Sequence, residues 1–173
     1  MMKKTREVAF LGMICALSVV FLMLGSIIEV FDITSAIIAS LLLFIANEEL
    51  KAKSLMVYFA TVIISVLFVS FGSLLPAIEY AVFALYPIIK PLIEKAPKVI
   101  SYLLKSVYTV VASCGTVLLM YFFITPLTEP YFFLVYLALF IVIIVLFDMT
   151  LLRFKRYYQF KLRHMLKIDR FFK

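Results

Sequence analysis

The sequence predicts an all-α membrane protein: six transmembrane helices in a compact bundle, with the N- and C-termini both cytoplasmic. Of its 173 residues, 66% are hydrophobic, and the mean hydropathy is +1.16. A soluble domain of this size could not enclose that much apolar surface. All seventeen Lys and Arg residues fall in four clusters: Lys3, Lys4 and Arg6; Lys51 and Lys53; Lys90, Lys95, Lys98 and Lys105; and Arg153 through Lys173. Between successive clusters runs enough apolar sequence to cross a bilayer twice, and the turn in the middle of each run contains no basic residue. Cytoplasmic loops collect Lys and Arg, so the clusters share one side and each interval is a hairpin.

A crossing needs about 20 residues of helix, fewer where neighbouring helices shelter it. The predicted spans are Val8 to Ile28, Phe31 to Ala46, Leu55 to Phe71, Leu74 to Ile89, Ser106 to Ile124 and Tyr131 to Phe147. The second and fourth are short, which suits steep helices or helices inside the bundle. A five-span alternative would leave one basic cluster outside. The first span follows Lys3, Lys4 and Arg6 as a signal peptide would. Its apolar run is too long for one, however, and no small-x-small cleavage site follows, so it is expected to stay in the mature protein. The division is then a six-helix transmembrane domain over 1–152 and a basic-aromatic cytoplasmic tail over 153–173, in the plasma membrane.

That tail interleaves Arg153, Lys155, Arg156, Tyr157, Tyr158, Phe160, Lys161 and Arg163. Directly after a final span, such a pattern fits an interfacial helix on anionic lipid better than a nucleic-acid surface. His164 reads as a solvated residue of the tail. Cys15 and Cys114 lie within predicted spans, without His or a second Cys at ligand spacing, so neither a disulfide nor a metal site is expected. There is no Walker A, HExxH, GxSxG or Gly-rich dinucleotide loop, and four glycines offer little for a phosphate cradle. The chain is expected to be neither an enzyme nor a cofactor binder. Any ATP-driven step would belong to another subunit.

An ionisable residue inside a span is a functional candidate by default, because lipid penalises it. Glu79 is the strongest case, in Leu75-Pro76-Ala77-Ile78-Glu79-Tyr80, with Phe83 and Tyr86 following at i+4 and i+7 on one helix face. A carboxylate above aromatic rings suits a small ligand with a flat apolar body and a donor or cationic group. Glu79, Tyr80, Phe83 and Tyr86, with Glu29 of the first outer turn, form the candidate substrate-binding set. Alternatively the fourth helix starts two turns later, leaving Glu79 in the wet outer interface. Asp32 is expected to cap the second helix, and Glu129 to be a solvated loop residue. The outward-facing charges are then all negative, which favours cations.

At the inner side, Asp148 precedes Arg153 by five residues and is expected to pair or to sit in the interface. Lys90, Glu94 and Lys98 form a ladder at i, i+4 and i+8 on a short amphipathic helix. Pro87, Pro91 and Pro97 break that segment, so the chain is expected to leave the membrane at Tyr86-Pro87. In the fifth span Thr109, Ser113 and Thr116 form a stripe expected to face the bundle interior. In the first span Ala9, Gly12 and Ala16 form a small face that could meet a helix of this chain or of a partner.

The stretch Arg6-Glu7-Val8-Ala9-Phe10-Leu11-Gly12-Met13-Ile14-Cys15-Ala16-Leu17, the acidic turn into Phe31-Asp32-Ile33-Thr34 and the later Tyr86-Pro87-Ile88-Ile89-Lys90 resemble the S component of energy-coupling factor transporters. This is the substrate-binding membrane subunit of that family. The resemblance implies a six-helix subunit that binds a vitamin or similar micronutrient near its outer face. It also implies dependence on a separate transmembrane T component and on two cytoplasmic ATP-binding subunits. Carried over by position, the T-component contact falls on Gly12 and Ala16, with Ala9 on the same face. The sequence has glycine where the family usually has alanine at the first of these. Two other classes remain open: a structural protein scaffolding an envelope or cell-shape assembly, and a small carrier that moves its solute unaided.

Overall fold

Long apolar segments satisfy their backbone hydrogen bonds internally by forming helices, and the computed structural model, which describes residues 2–68, 72–123 and 130–165, is helical throughout. Helix α1 spans Met2–Ile27, α2 Asp32–Leu50, α3 Ser54–Phe68, α4 Leu75–Ile93, α5 Lys98–Phe123, α6 Pro130–Tyr157 and a last short turn, α7, Arg163–Met165. Single 3-10 turns, Glu29–Phe31 and Lys51–Lys53, join α1 to α2 and α2 to α3. No strand occurs among the described residues. Five of the six long helices have the length and apolar character of membrane spans, and α3 is a shorter, largely apolar helix of 15 residues. These are the features of a multi-pass helical membrane protein.

Ion pairs gather the charged ends of these helices at one end of the bundle. Glu7 of α1 pairs with Lys53, and Glu48 and Glu49, at the end of α2, pair with Lys155 at 3.6 Å and Arg163 at 3.3 Å. Asp148 of α6 pairs with Lys90 and Lys105, at the end of α4 and the start of α5. The opposite end is closed by small residues. A side chain at Gly25 would collide with Ser35 of α2, and one at Gly72 would collide with Ser26 of α1. There the Ser73 amide donates to the Ser26 carbonyl at 3.4 Å, and the Ser73 hydroxyl caps the Leu75 amide at 3.2 Å. Pro76 follows in the first turn of α4, where its missing N–H costs nothing.

Helices α2 and α4 form the centre: 50% and 56% of their spans are buried, against 22% for α5 and α6. These are the two segments expected to be short and sheltered, and both are one turn longer than expected. Helix α4 does not end at Tyr86-Pro87. It continues to Ile93 through Pro87 and Pro91, and a side chain makes this possible. Pro91 has no N–H for the Pro87 carbonyl four residues back, and the Asn47 amide of α2 donates to that carbonyl instead, at 3.0 Å. The expected short amphipathic helix is therefore absent: Lys90 belongs to α4, and Lys98 is the first residue of α5.

Two other boundaries also shift. Asp32 is the first residue of α2 rather than its cap, because the 3-10 turn Glu29–Phe31 runs straight into the helix. Helix α6 runs past residue 152 to Tyr157 and continues as a π-helical stretch, Tyr158–Leu162. The Tyr158 side chain is buried and donates to Glu49 at 2.9 Å, which holds this first part of the tail against α2. Arg153, Arg156, Phe160 and Lys161 remain exposed. Glu129 and residues 166–173 lie outside the described residues, as does the end of the expected third span, Phe71.

Candidate functional site

Helix α4 carries a polar site at each of its ends. Near the Leu75 end, one helical turn in, stands Glu79. The helix starts within one residue of its expected position, and Glu79 is 0% exposed. Neither carboxylate oxygen has a hydrogen-bond partner, and no basic residue pairs with it among the described residues. The ionisable group nearest in effect is another acid, Asp32 at the start of α2, itself buried and within electrostatic reach of Glu79. Beside them Tyr80, also fully buried, stacks on Tyr58 with ring centroids 6.2 Å apart. The Thr61 hydroxyl of α3 donates to the Cys15 sulfur of α1 at 3.4 Å, and the Tyr58 hydroxyl donates to the Ala81 carbonyl at 2.8 Å. A buried carboxylate without a donor is costly, so this position selects for a proton or for a cationic or hydrogen-bond-donating group brought from outside.

The opposite end is fully compensated. Lys90, 5% exposed, reaches the Asp148 carboxylate, which also accepts the Tyr86 hydroxyl at 2.7 Å. Lys105 lies 3.5 Å from Asp148 and 3.6 Å from Glu94, and Glu94 is 3.8 Å from Lys90. Two cations and two carboxylates thus balance, and they tie α4, α5 and α6 together. Asp148 has the pairing role expected of it, but its partners come from α4 and α5.

The candidate residues on α4 therefore divide. Glu79 and Tyr80 lie together near the Leu75 end. The Phe83 ring packs edge-on against Phe147 at 5.4 Å, and the Tyr86 ring lies 5.1 Å from Tyr108. These two aromatics hold α4 to α5 and α6, and Tyr86 works at the opposite end from Glu79. Glu29 stands in the 3-10 turn before α2, and its side chain lies outside the described residues. In α5, Ser113 and Thr116 are buried and Thr109 half-buried, so the hydroxyl stripe faces the interior. In α1, Ala9, Gly12 and Ala16 all face outward from the bundle, and a side chain added at Gly12 would meet nothing within 4 Å.

Sequence reasoning missed Asn47, Glu48 and Glu49. A usable signal existed for the two acids, since Glu48-Glu49 stands just before Lys51 and its charges need partners at that end. Asn47 gave none: its role follows from the position of a proline carbonyl forty residues away. No family model, curated protein or solved structure matches this chain.

Proposed function

We propose that this protein is a substrate-binding subunit of the S-component type, taking up a vitamin or similar micronutrient across the plasma membrane. Both termini are cytoplasmic in this account, because the end of the bundle that gathers the ion pairs also carries the basic clusters. Glu79 then lies toward the outer face. The observation that carries the proposal is this carboxyl group, fully buried, with neither oxygen hydrogen-bonded among the described residues. An intramembrane acid without a partner marks a ligand or ion position, and its sign calls for a small molecule with a cationic or donor group. Tyr80, the next residue on α4, stacks on Tyr58 of α3 and is fully buried. Phe83, Tyr86 and Glu29 complete the proposed set, Phe83 and Tyr86 by setting the position of α4.

The chain has no motif for ATP hydrolysis, so the work of moving the ligand falls to a T component and ATP-binding subunits. The outward small face of α1 supports such a partner: Ala9, Gly12 and Ala16 are exposed, and a side chain added at Gly12 would meet nothing within 4 Å among the described residues, so another helix could approach closely. The test is purification of the full chain from its own membranes in mild detergent. The expected result is co-purification of a transmembrane partner and ATP-binding subunits, with ligand bound by the chain alone but transported only with them. Transport by the reconstituted chain alone would establish a self-sufficient carrier. Absence of both partners and ligand would favour the scaffold alternative.

A further inference from the structure

A groove of about 470 Å³ runs between α4 and α5, lined on α4 by Val82, Leu85 and Ile89 and on α5 by Leu104, Val111 and Gly115. The aromatic residue in its wall, Tyr108, offers it no donor, because its hydroxyl is committed to the Val82 carbonyl at 2.7 Å. The groove therefore takes an apolar occupant. From Leu104 to Leu119 it follows about 22 Å of helix rise, enough to take the full depth of one leaflet of a hydrocarbon core roughly 30 Å thick. Gly115 leaves its middle open, since a side chain there would meet nothing within 4 Å.

The turn joining α4 to α5 closes the groove at Ile93 and Leu104, and that turn is positively charged. Its carboxylate, Glu94, is engaged by Lys90 and Lys105. Lys95 and Lys98 are exposed and make no ion pair among the described residues. Apolar depth with two unmatched cations at one end is the complement of one kind of molecule. We infer that the α4–α5 groove holds an acyl chain of an anionic phospholipid whose headgroup lies at Lys95 and Lys98. This site is separate from the basic tail and independent of the ligand at Glu79.

The experiment uses the purified full chain in mild detergent. It is titrated with phosphatidylglycerol and with phosphatidylcholine of identical acyl chains, and bound lipids are counted by native mass spectrometry. One phosphatidylglycerol should bind in the groove with a preference of roughly thirtyfold, the contribution of two interfacial lysines. The double variant Lys95→Gln/Lys98→Gln, altered only at exposed positions, should lose that preference and keep the weaker binding common to both lipids. Gly115→Leu should weaken both several-fold, whereas Arg156→Gln/Lys161→Gln in the tail should leave the groove lipid in place. Preference surviving in the lysine variant, or unchanged binding in a folded Gly115→Leu, would overturn the inference. Loss of a co-purifying protein from Gly115→Leu with lipid binding intact would also overturn it, by giving the groove to a partner helix.

Discussion

The two ends of α4 hold similar side chains in opposite conditions. At Lys90, two lysines and two carboxylates from three elements cancel one another, and a tyrosine hydroxyl completes the set. At Glu79, eleven residues earlier on the same helix, a carboxyl group is buried with no hydrogen-bond partner and no paired cation among the described residues. A compensated network is what structure requires, because each buried charge has its counter-charge. An uncompensated buried acid costs stability instead of adding to it, which is the ground for proposing Glu79 as a ligand position. Burial alone does not separate the two sites, since Glu79 and Lys90 are both buried. The partner count does.

The largest effect is expected at the compensated end. Asp148→Asn removes the nearer of the two carboxylates of buried Lys90, leaving only Glu94 at 3.8 Å, and should destabilise the bundle by about 3 kcal/mol, measured as unfolding in detergent. Lys90→Met combined with Asp148→Leu should recover much of that loss, because the pair and not either charge alone is what the site tolerates. If the single and double variants were equally unstable, the network would not be the cause. A smaller effect is expected where α1 and α2 close at the other end: Gly25→Ala drives a methyl group into Ser35 and should cost about 1–3 kcal/mol by overpacking, seen as a lower unfolding midpoint. The smallest belongs to Gly12→Ala, which meets nothing within 4 Å and gains helix propensity. It should leave the isolated chain unchanged or stabilised by up to about 1 kcal/mol. Gly12→Leu should then reduce recovery of the transmembrane partner without lowering that stability.

Much of the fold was legible because charge and hydropathy act locally. The four basic clusters separated the pairs of helices, and the start of α4, expected at Leu74 and found at Leu75, and the inward hydroxyls Ser113 and Thr116 followed from spacing. The failures came where a distant residue changes a local rule. Prolines at 87 and 91 read as a helix end, yet Asn47 accommodates the missing hydrogen bond and α4 continues. Asp148 was expected to pair or to sit in the inner interface and it does pair, but sequence proximity pointed only to Arg153, whereas its cations arrive from α4 and α5. The expected aromatic wall under Glu79 was correct in its helical face. Phe83 and Tyr86 nevertheless meet Phe147 and Tyr108, because a face that points inward is claimed by whichever helices pack there.

Glu79→Gln tests the contrast most directly, with stability and ligand retention measured on the same purified chain. Replacing an unpartnered buried acid by a neutral amide of the same size should leave stability equal or higher, while retention of the proposed small molecule falls roughly ten- to hundredfold through loss of the charge-assisted hydrogen bond it would make. A variant that unfolds more readily but holds the molecule as well as before would show that Glu79 belongs to the structure and not to the site.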